Sequence, residues 1–380
     1  MIYLDNAATS FPKPEPVYRA LDRFAREELA NPGRAGHKMA LAAERALDDC
    51  RHRLNQFFHG LSPDRFVFTL NGTDALNMAF KGVLNEGDHV ITTNLEHNSV
   101  SRPLRAMELN GKIALTRVTP CPEGFIDPQQ VFQWLKPNTR MVAMTHASNV
   151  LGTVQPVREI GAWCRQKGIL FLLDGAQTAG VLPIDIQKDG IDLLACPGHK
   201  SLFGPTGTGF LYAGERTTVR PWREGGTGGD SSSETQPKEL PYFLEGGTPN
   251  VLGVAGLAAG LAWVVEQGLE NIHLREMTLV KQLRAGLKEI PGIKVLGTDQ
   301  LEKSVATVSF VSETLPAPEI GSILDQAFEI AVRPGLHCAP YIHKVAGTYP
   351  DGAVRVSPGA FNTPAEMDKL LAALKEILSI

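Results

Sequence analysis

The stretch 169–210, ILFLLDGAQTAGVLPIDIQKDGIDLLACPGHKSLFGPTGTGF, constrains the fold of this chain most, because two short, mostly apolar runs in it each end abruptly on polar residues. Such runs suit strands buried on both faces, as a parallel sheet covered by helices requires. The first, 169–173, delivers Asp174 into a Gly-Ala-Gln turn; the second, 191–195, leads to Gly198-His199-Lys200 ahead of a glycine-rich segment. Ligands of open α/β sheets bind beyond the carboxyl ends of strands, so both polar ends are expected to face one crevice. A lysine and a carboxylate presented together suit pyridoxal phosphate: the lysine holds the aldehyde as a Schiff base, and the acid keeps the ring nitrogen protonated. Either residue alone says little, since an Asp there is more often a cap or turn former and a Lys more often a solvated charge.

The same alternation runs through much of the chain. FVFTL (66–70), HVITTN (89–94), IALTRV (113–118), MVAMTHAS (141–148), ILFLLD (169–174), IDLLAC (191–196) and GTGFLYA (207–213) read as strands, with helical segments between most of them. Repeated βα units predict a mostly parallel sheet covered on both faces. Ahead of it, 1–14 reads as a short strand and a proline-punctuated loop. Helical periodicity over 15–29 and 38–58 flanks the turn-rich NPGRAGH (31–37). Thr73 opens a helix over 74–84, which puts Gly72 and Thr73 at a helix N-terminus suited to a phosphate; an ordinary Thr cap is the plainer reading. The Gly/Ser/Thr-rich segment 223–250 reads as a lid or binding loop rather than a linker. Beyond 251 come a long helical stretch to about 287, strands near 306–311 and 330–335, and a final helix whose Thr363, Pro364 and Glu366 form a capping-box start. This part predicts a smaller α+β domain.

Composition excludes several classes. With 37 basic and 41 acidic residues the net charge is −4, which offers no general grip on nucleic acid. The five cysteines, at 50, 121, 164, 196 and 338, are odd in number and never spaced C-x-x-C, so neither a disulfide framework nor a zinc knuckle is indicated, and a reducing cytoplasm fits. The N-terminus lacks the basic-then-apolar order of a signal peptide. The longest uncharged apolar run, 251–265, is short of the roughly 20 residues a membrane span needs and reads as a buried helix. No G-x-G-x-x-G or complete P-loop is present; Lys200-Ser201 matches only the tail of one.

Nine motifs, in order, carry a resemblance: LDNAAT (4–9), GTDALN (72–77), EHNSV (96–100), HASNVLGT (146–153), DGAQTAG (174–180), GHK (198–200), GGTPN (246–250), RPGLHC (333–338) and RVSPGAFNT (355–363). Together they resemble the cysteine desulfurases, class V aminotransferase-like, fold-type I pyridoxal phosphate enzymes that also include selenocysteine lyases. The resemblance implies an α/β fold with a seven-stranded, mostly parallel sheet in a large domain over 15–255. A small domain from 1–14 and 256–380 would carry the cysteine loop and the carboxylate-binding arginine. Matched residue by residue, Lys200 would hold the cofactor, Asp174 pair with the pyridinium nitrogen, and Gln177 reach the phenolic oxygen. His97 would stack on the ring, Asn149 lie beside ring and substrate, and Gly72, Thr73 and His199 hold the phosphate. Thr248 would reach the phosphate of a neighbouring subunit in a homodimer. Arg355 would clamp the substrate α-carboxylate, with Asn6 and Ala7 alongside. Pro197 stands where the family motif, usually Ser-x-His-Lys, has a hydroxyl, so one phosphate contact must be lost or supplied elsewhere, and one extra residue separates Lys200 from Gly204-Pro205.

Four of the cysteines suit small buried apolar roles. Cys338 sits in RPGLHCAPYIHK with Arg333, His337 and His343, and positive neighbours favour a nucleophilic thiolate. A metal site from His337, Cys338 and His343 is a poor zinc signature. The resemblance makes Cys338 the nucleophile and places it in the short-loop group, whose members commonly need a dedicated sulfur acceptor. It implies conversion of L-cysteine to L-alanine with a persulfide left on Cys338, Lys200 moving the α-proton, His97 as a proton carrier, and a role in iron–sulfur cluster assembly. The rivals are a selenocysteine lyase or a cysteine or cystine C–S lyase on the same scaffold, and a catalytically silent sulfur carrier or scaffold.

Overall fold

The computed structural model describes residues 1–33, 36–227 and 232–378; positions 34–35 of the turn-rich segment and 228–231 of the long loop lie outside the described residues. Strand β1 (Ile2–Tyr3) and the loop after it lead into α1 (Glu15–Glu27) and α2 (Lys38–Phe58), where helical periodicity predicts them. The chain then runs β2 (Phe66–Thr69), α3 (Gly72–Val83), β3 (Asp88–Thr93), α4 (Asn98–Leu109), β4 (Ile113–Val118), α5 (Pro128–Gln133), β5 (Thr139–Thr145), α6 (Val157–Lys167), β6 (Leu170–Asp174), β7 (Leu193–Pro197) and β8 (Gly209–Ala213).

These strands form one seven-stranded sheet in the order β2-β8-β7-β6-β5-β3-β4. Each neighbouring pair from β4 to β7 is parallel, while β8 is antiparallel to both β7 and β2. A parallel return needs a long crossover, usually a helix, and the link between β7 and β8 contains none, so the chain comes straight back. Thr145 lies opposite Asp174, and Asp174 opposite Ala195, so β5, β6 and β7 end nearly level. That shared edge places Asp174 and the 198–200 turn in one crevice.

The long helical stretch expected to about 287 consists of two helices, α7 (Val251–Gln267) and α8 (Leu269–Lys288), bent by 81° at Gly268, whose φ of 78° a side chain would resist. The boundary expected between 255 and 256 falls inside α7. That helix packs on α1 and α2, and it passes so near the 202–204 turn that a Cβ on Gly260 would lie 2.3 Å from the carbonyl of Leu202. The chain therefore leaves the large sheet at Gly268. Among the described residues no single helix is long and apolar enough to cross a membrane, and α7 is largely buried in the core.

Beyond it lie β9 (Ile293–Val295), β10 (Val308–Ser312), α9 (Ala317–Phe328), β11 (Ile330–Ala331), β12 (Arg333–Gly335), α10 (Pro340–Val345), β13 (Ala353–Val356) and α11 (Pro364–Leu378). The single strand expected at 330–335 is divided: β11 pairs in parallel with β1, whereas β12 joins the antiparallel sheet β12-β13-β10-β9. Helices α8, α9 and α11 cover this sheet through a core that includes Leu283, Phe310, Leu324 and Leu370. Glu366 accepts a hydrogen bond from the backbone N–H of Thr363 at 2.7 Å, one half of a capping box.

Candidate active site

Asp174 ends β6 almost fully buried. Burial raises its carboxyl above the usual carboxylate range, opposed by the backbone N–H of Ala176, 3.0 Å from Oδ1, and by the charge of Lys200. Lys200 follows β7, and burial pushes its amine down to about 8, against the pull of Asp174 and with the push of Arg355 and Arg333. The two therefore soften each other's burial across one pocket, which both line.

The turn carrying Lys200 is strapped by the N-terminal loop. The carbonyl of His199 accepts from the Ser10 N–H, the Thr9 hydroxyl and Nζ of Lys13, and the carbonyl of Lys200 accepts from the Ser10 hydroxyl at 2.8 Å. Lys13, whose amine burial lowers to about 8, went unnoticed in sequence because nothing in FPKP marks it. The His199 ring meets the Thr9 hydroxyl at 3.1 Å through Nδ1 and faces the same pocket.

At the phosphate end the cap of α3 is Asn71, not Thr73: Asn71 Oδ1 accepts from the Asp74 N–H at 2.9 Å. The Thr73 hydroxyl is thereby released and lies 2.7 Å from that of Ser99, and both line the pocket with Gly72. Pro197 packs against Gly72 so closely that a Cβ there would meet the proline ring at 3.1 Å. Ser99 was missed by sequence reasoning; its one signal was its place two residues after His97. His97 caps α4, with Nδ1 accepting from the Ser99 N–H at 3.1 Å. Burial, aided by the charges of Lys200, Arg333, Arg355 and Arg102, lowers its imidazole to about 4, so the ring is neutral and its proton sits on Nε2.

Arg355, on β13, is 1% exposed. Its Nη2 donates to Asp5 Oδ1 at 2.6 Å and its Nη1 to the carbonyl of Asn149 at 3.1 Å, while its buried Nε has no hydrogen-bond partner among the described residues. Asn149 also donates from Nδ2 to the carbonyl of His337 at 2.7 Å, which ties the pocket wall to the cysteine loop. Gln177 donates to the carbonyl of Ala7 at 3.2 Å, and Ala7 and Ala8 line the pocket. The side chain of Asn6 instead braces the loop, bonding the carbonyl of Ser357, Asn362 and the Phe11 N–H.

Cys338 stands beside the pocket, its Sγ 3.6 Å from Nη2 of Arg333, which lines it. The positive surroundings expected from His337 and His343 are not found: burial lowers them to about 3 and about 4, so both rings are neutral and Arg333 supplies the charge. Among the described residues no group of three His, Cys, Asp or Glu side chains is placed to hold a metal. Thr248 lies apart from Lys200, exposed, in a cavity lined by Asn31, Arg51, Tyr242 and Glu245.

One pocket thus holds a lysine, a buried acid, an arginine and two hydroxyls, each at the N-terminus of its own helix. Residues 2–370 match the family model for class V aminotransferases. A probable cysteine desulfurase of Methanothermobacter thermautotrophicus is 36% identical over 99% of this chain and 94% of its own length. The chain belongs to the cysteine desulfurase family of class V aminotransferases. The apo structure of a cysteine desulfurase from Thermococcus onnurineus superposes with a TM-score of 0.94 at 33% identity, covering 100% of this chain and 94% of that one. The cysteine desulfurase CsdA of Escherichia coli gives 0.90 at 26% identity, covering 99% and 94%. The α/β fold with its mostly parallel central sheet is that of these enzymes, which depend on pyridoxal phosphate.

Proposed function

We propose that this family member converts L-cysteine to L-alanine and leaves the sulfur on Cys338 as a persulfide. One observation carries the reading: Arg333, which lines the pocket that brings together Lys200, Asp174 and Arg355, reaches to 3.6 Å from Sγ of Cys338.

The pocket's donor set fits pyridoxal phosphate. Lys200 offers an amine that burial favours neutral, Asp174 a buried acid for the ring nitrogen, and Gly72, Thr73, Ser99 and His199 surround the phosphate end. The hydroxyl absent at Pro197 is supplied in this reading by Ser99. When bound, the cofactor supplies an electron sink for charge developing at the substrate α-carbon.

The chain's own residues do the rest. Arg355 holds the α-carboxylate through its guanidinium, which Asn149 and Asp5 orient. Lys200 takes the α-proton at Nζ. Neutral His97 carries a donatable proton on Nε2 at the pocket wall. The Cys338 thiolate, its charge balanced by Arg333, attacks the substrate sulfur: the new S–S bond forms as C–S breaks, the electron pair goes to carbon, and a proton completes alanine.

Thr248 supports a homodimer, because its exposed position in a separate cavity suits delivery to a second subunit's phosphate. The proposed setting is a cytoplasm, with the sulfur passed to a protein acceptor toward iron–sulfur cluster assembly; the five free cysteines support a reducing compartment. Alanine release from L-cysteine and L-selenocysteine, each with and without a reducing thiol, tests the function. Release from cysteine unaccompanied by a Cys338 persulfide would leave the simple lyase instead.

A further inference from the structure

His337 and Cys338 both lie in the left-handed region, at φ of 49° and 57°, a conformation that residues with a Cβ seldom adopt and that the surroundings must hold in place. We propose that His343 and Thr348 are positioning residues for Cys338: with His337 they form an oriented chain of hydrogen bonds that keeps this turn in the shape presenting the thiol to the pocket.

The direction of every bond in the chain follows from what each atom can do. The carbonyl of Arg333 only accepts, so His337 Nε2, 2.9 Å away, carries the proton and donates. A neutral His337 then has a lone pair on Nδ1, so His343 Nε2, at 3.2 Å, is the donor to it. That leaves His343 Nδ1 to accept from the Thr348 hydroxyl at 2.7 Å. Both rings are essentially buried, and burial keeps both neutral; the charges of Arg355 and Arg333 press His337 the same way. The Thr348 hydroxyl also lies 3.4 Å from the carbonyl of His343, a much longer contact than its bond to the ring, and only one proton order satisfies all three bonds.

The backbone of the turn is held independently from the large sheet's side. Asn149 Nδ2 donates to the carbonyl of His337 at 2.7 Å, and the Asn98 N–H donates to the carbonyl of Cys338 at 2.6 Å. The turn is thus gripped through its carbonyls on one side and through the His337 ring on the other. Neither His343 nor Thr348 lines the pocket, so both act through His337.

The proposal rests on the desulfurase reading for its effect on turnover, and its test separates the two. Thr348→Val removes the first donor at nearly constant volume, and Thr348→Ser retains it. In the holoenzyme Thr348→Val is expected to lower kcat about fivefold, the loss of one hydrogen bond, with KM for cysteine unchanged; Thr348→Ser is expected to match wild type. His343→Phe, which breaks two bonds, should lower kcat further. Amide exchange at Ala339, whose N–H closes the turn onto Leu336, needs no turnover and should quicken in the valine variant but not the serine one. Unchanged exchange in Thr348→Val, or an equal loss of kcat in both Thr348 variants, would overturn the positioning role, and the exchange result stands even if the protein releases no alanine.

Discussion

Nη2 of Arg355 donates to Oδ1 of Asp5 at 2.6 Å, so the arginine that faces the substrate pocket already holds a carboxylate of its own chain. Asp5 neutralises a guanidinium that is 1% exposed and aims it, while the unpartnered Nε keeps a donor in reserve. Breaking a buried pair by removing one partner leaves a charge uncompensated, so Asp5→Asn should destabilise the fold by about 3 kcal/mol. Thermal unfolding checks this, and an unchanged midpoint would count against the pairing.

Arg355→Ala removes the carboxylate clamp itself. Cysteine binding, followed by the change it causes in the cofactor absorbance, should weaken by about 2–5 kcal/mol. Wild-type affinity in the variant would place the clamp elsewhere.

Lys200 gives a pH dependence with a definite sign. Its amine titrates at about 8 in the folded protein against 10.5 ordinarily, so between those values the unfolded chain binds more protons and stability rises with pH. The penalty, about 3 kcal/mol for this shift, is present in full below pH 8 and relieved by pH 10.5. Denaturant unfolding of cofactor-stripped protein should show this rise, and Lys200→Met should reduce it, leaving the part that Lys13, whose amine burial also lowers to about 8, contributes. The same variant should also yield no borohydride-trapped cofactor adduct.

Ser99→Ala should weaken binding of pyridoxal phosphate to the stripped protein by about tenfold to a hundredfold, the worth of one hydrogen bond to a charged group. Binding of pyridoxal, which has no phosphate, should not change. Equal losses for both would show that Ser99 acts on the fold and not on the phosphate.

Cys338→Ala separates a desulfurase from a lyase. Lys200, Asp174 and Arg355 need no thiol to bind the substrate, so added cysteine should still shift the spectrum while alanine release falls by many orders of magnitude. For selenocysteine the block should be partial, since a selenolate leaves more readily. Normal alanine release from cysteine would sink the persulfide mechanism.

Much of this was written locally. The apolar runs ending at Asp174 and before Lys200, the βα alternation and the 38–58 helix follow from short-range periodicity and burial, which a single chain displays in order. Only the tertiary structure could decide the rest, because it depends on contacts between distant segments. Thr73 is free for a ligand because Asn71 takes the cap, and Ser99 meets it across two helices. Asp5 reaches Arg355 across 350 residues, and Lys13 locks the turn before Lys200. The charge near Cys338 was misjudged for the same reason: a histidine's protonation is set by burial, and burial is a property of the packed fold.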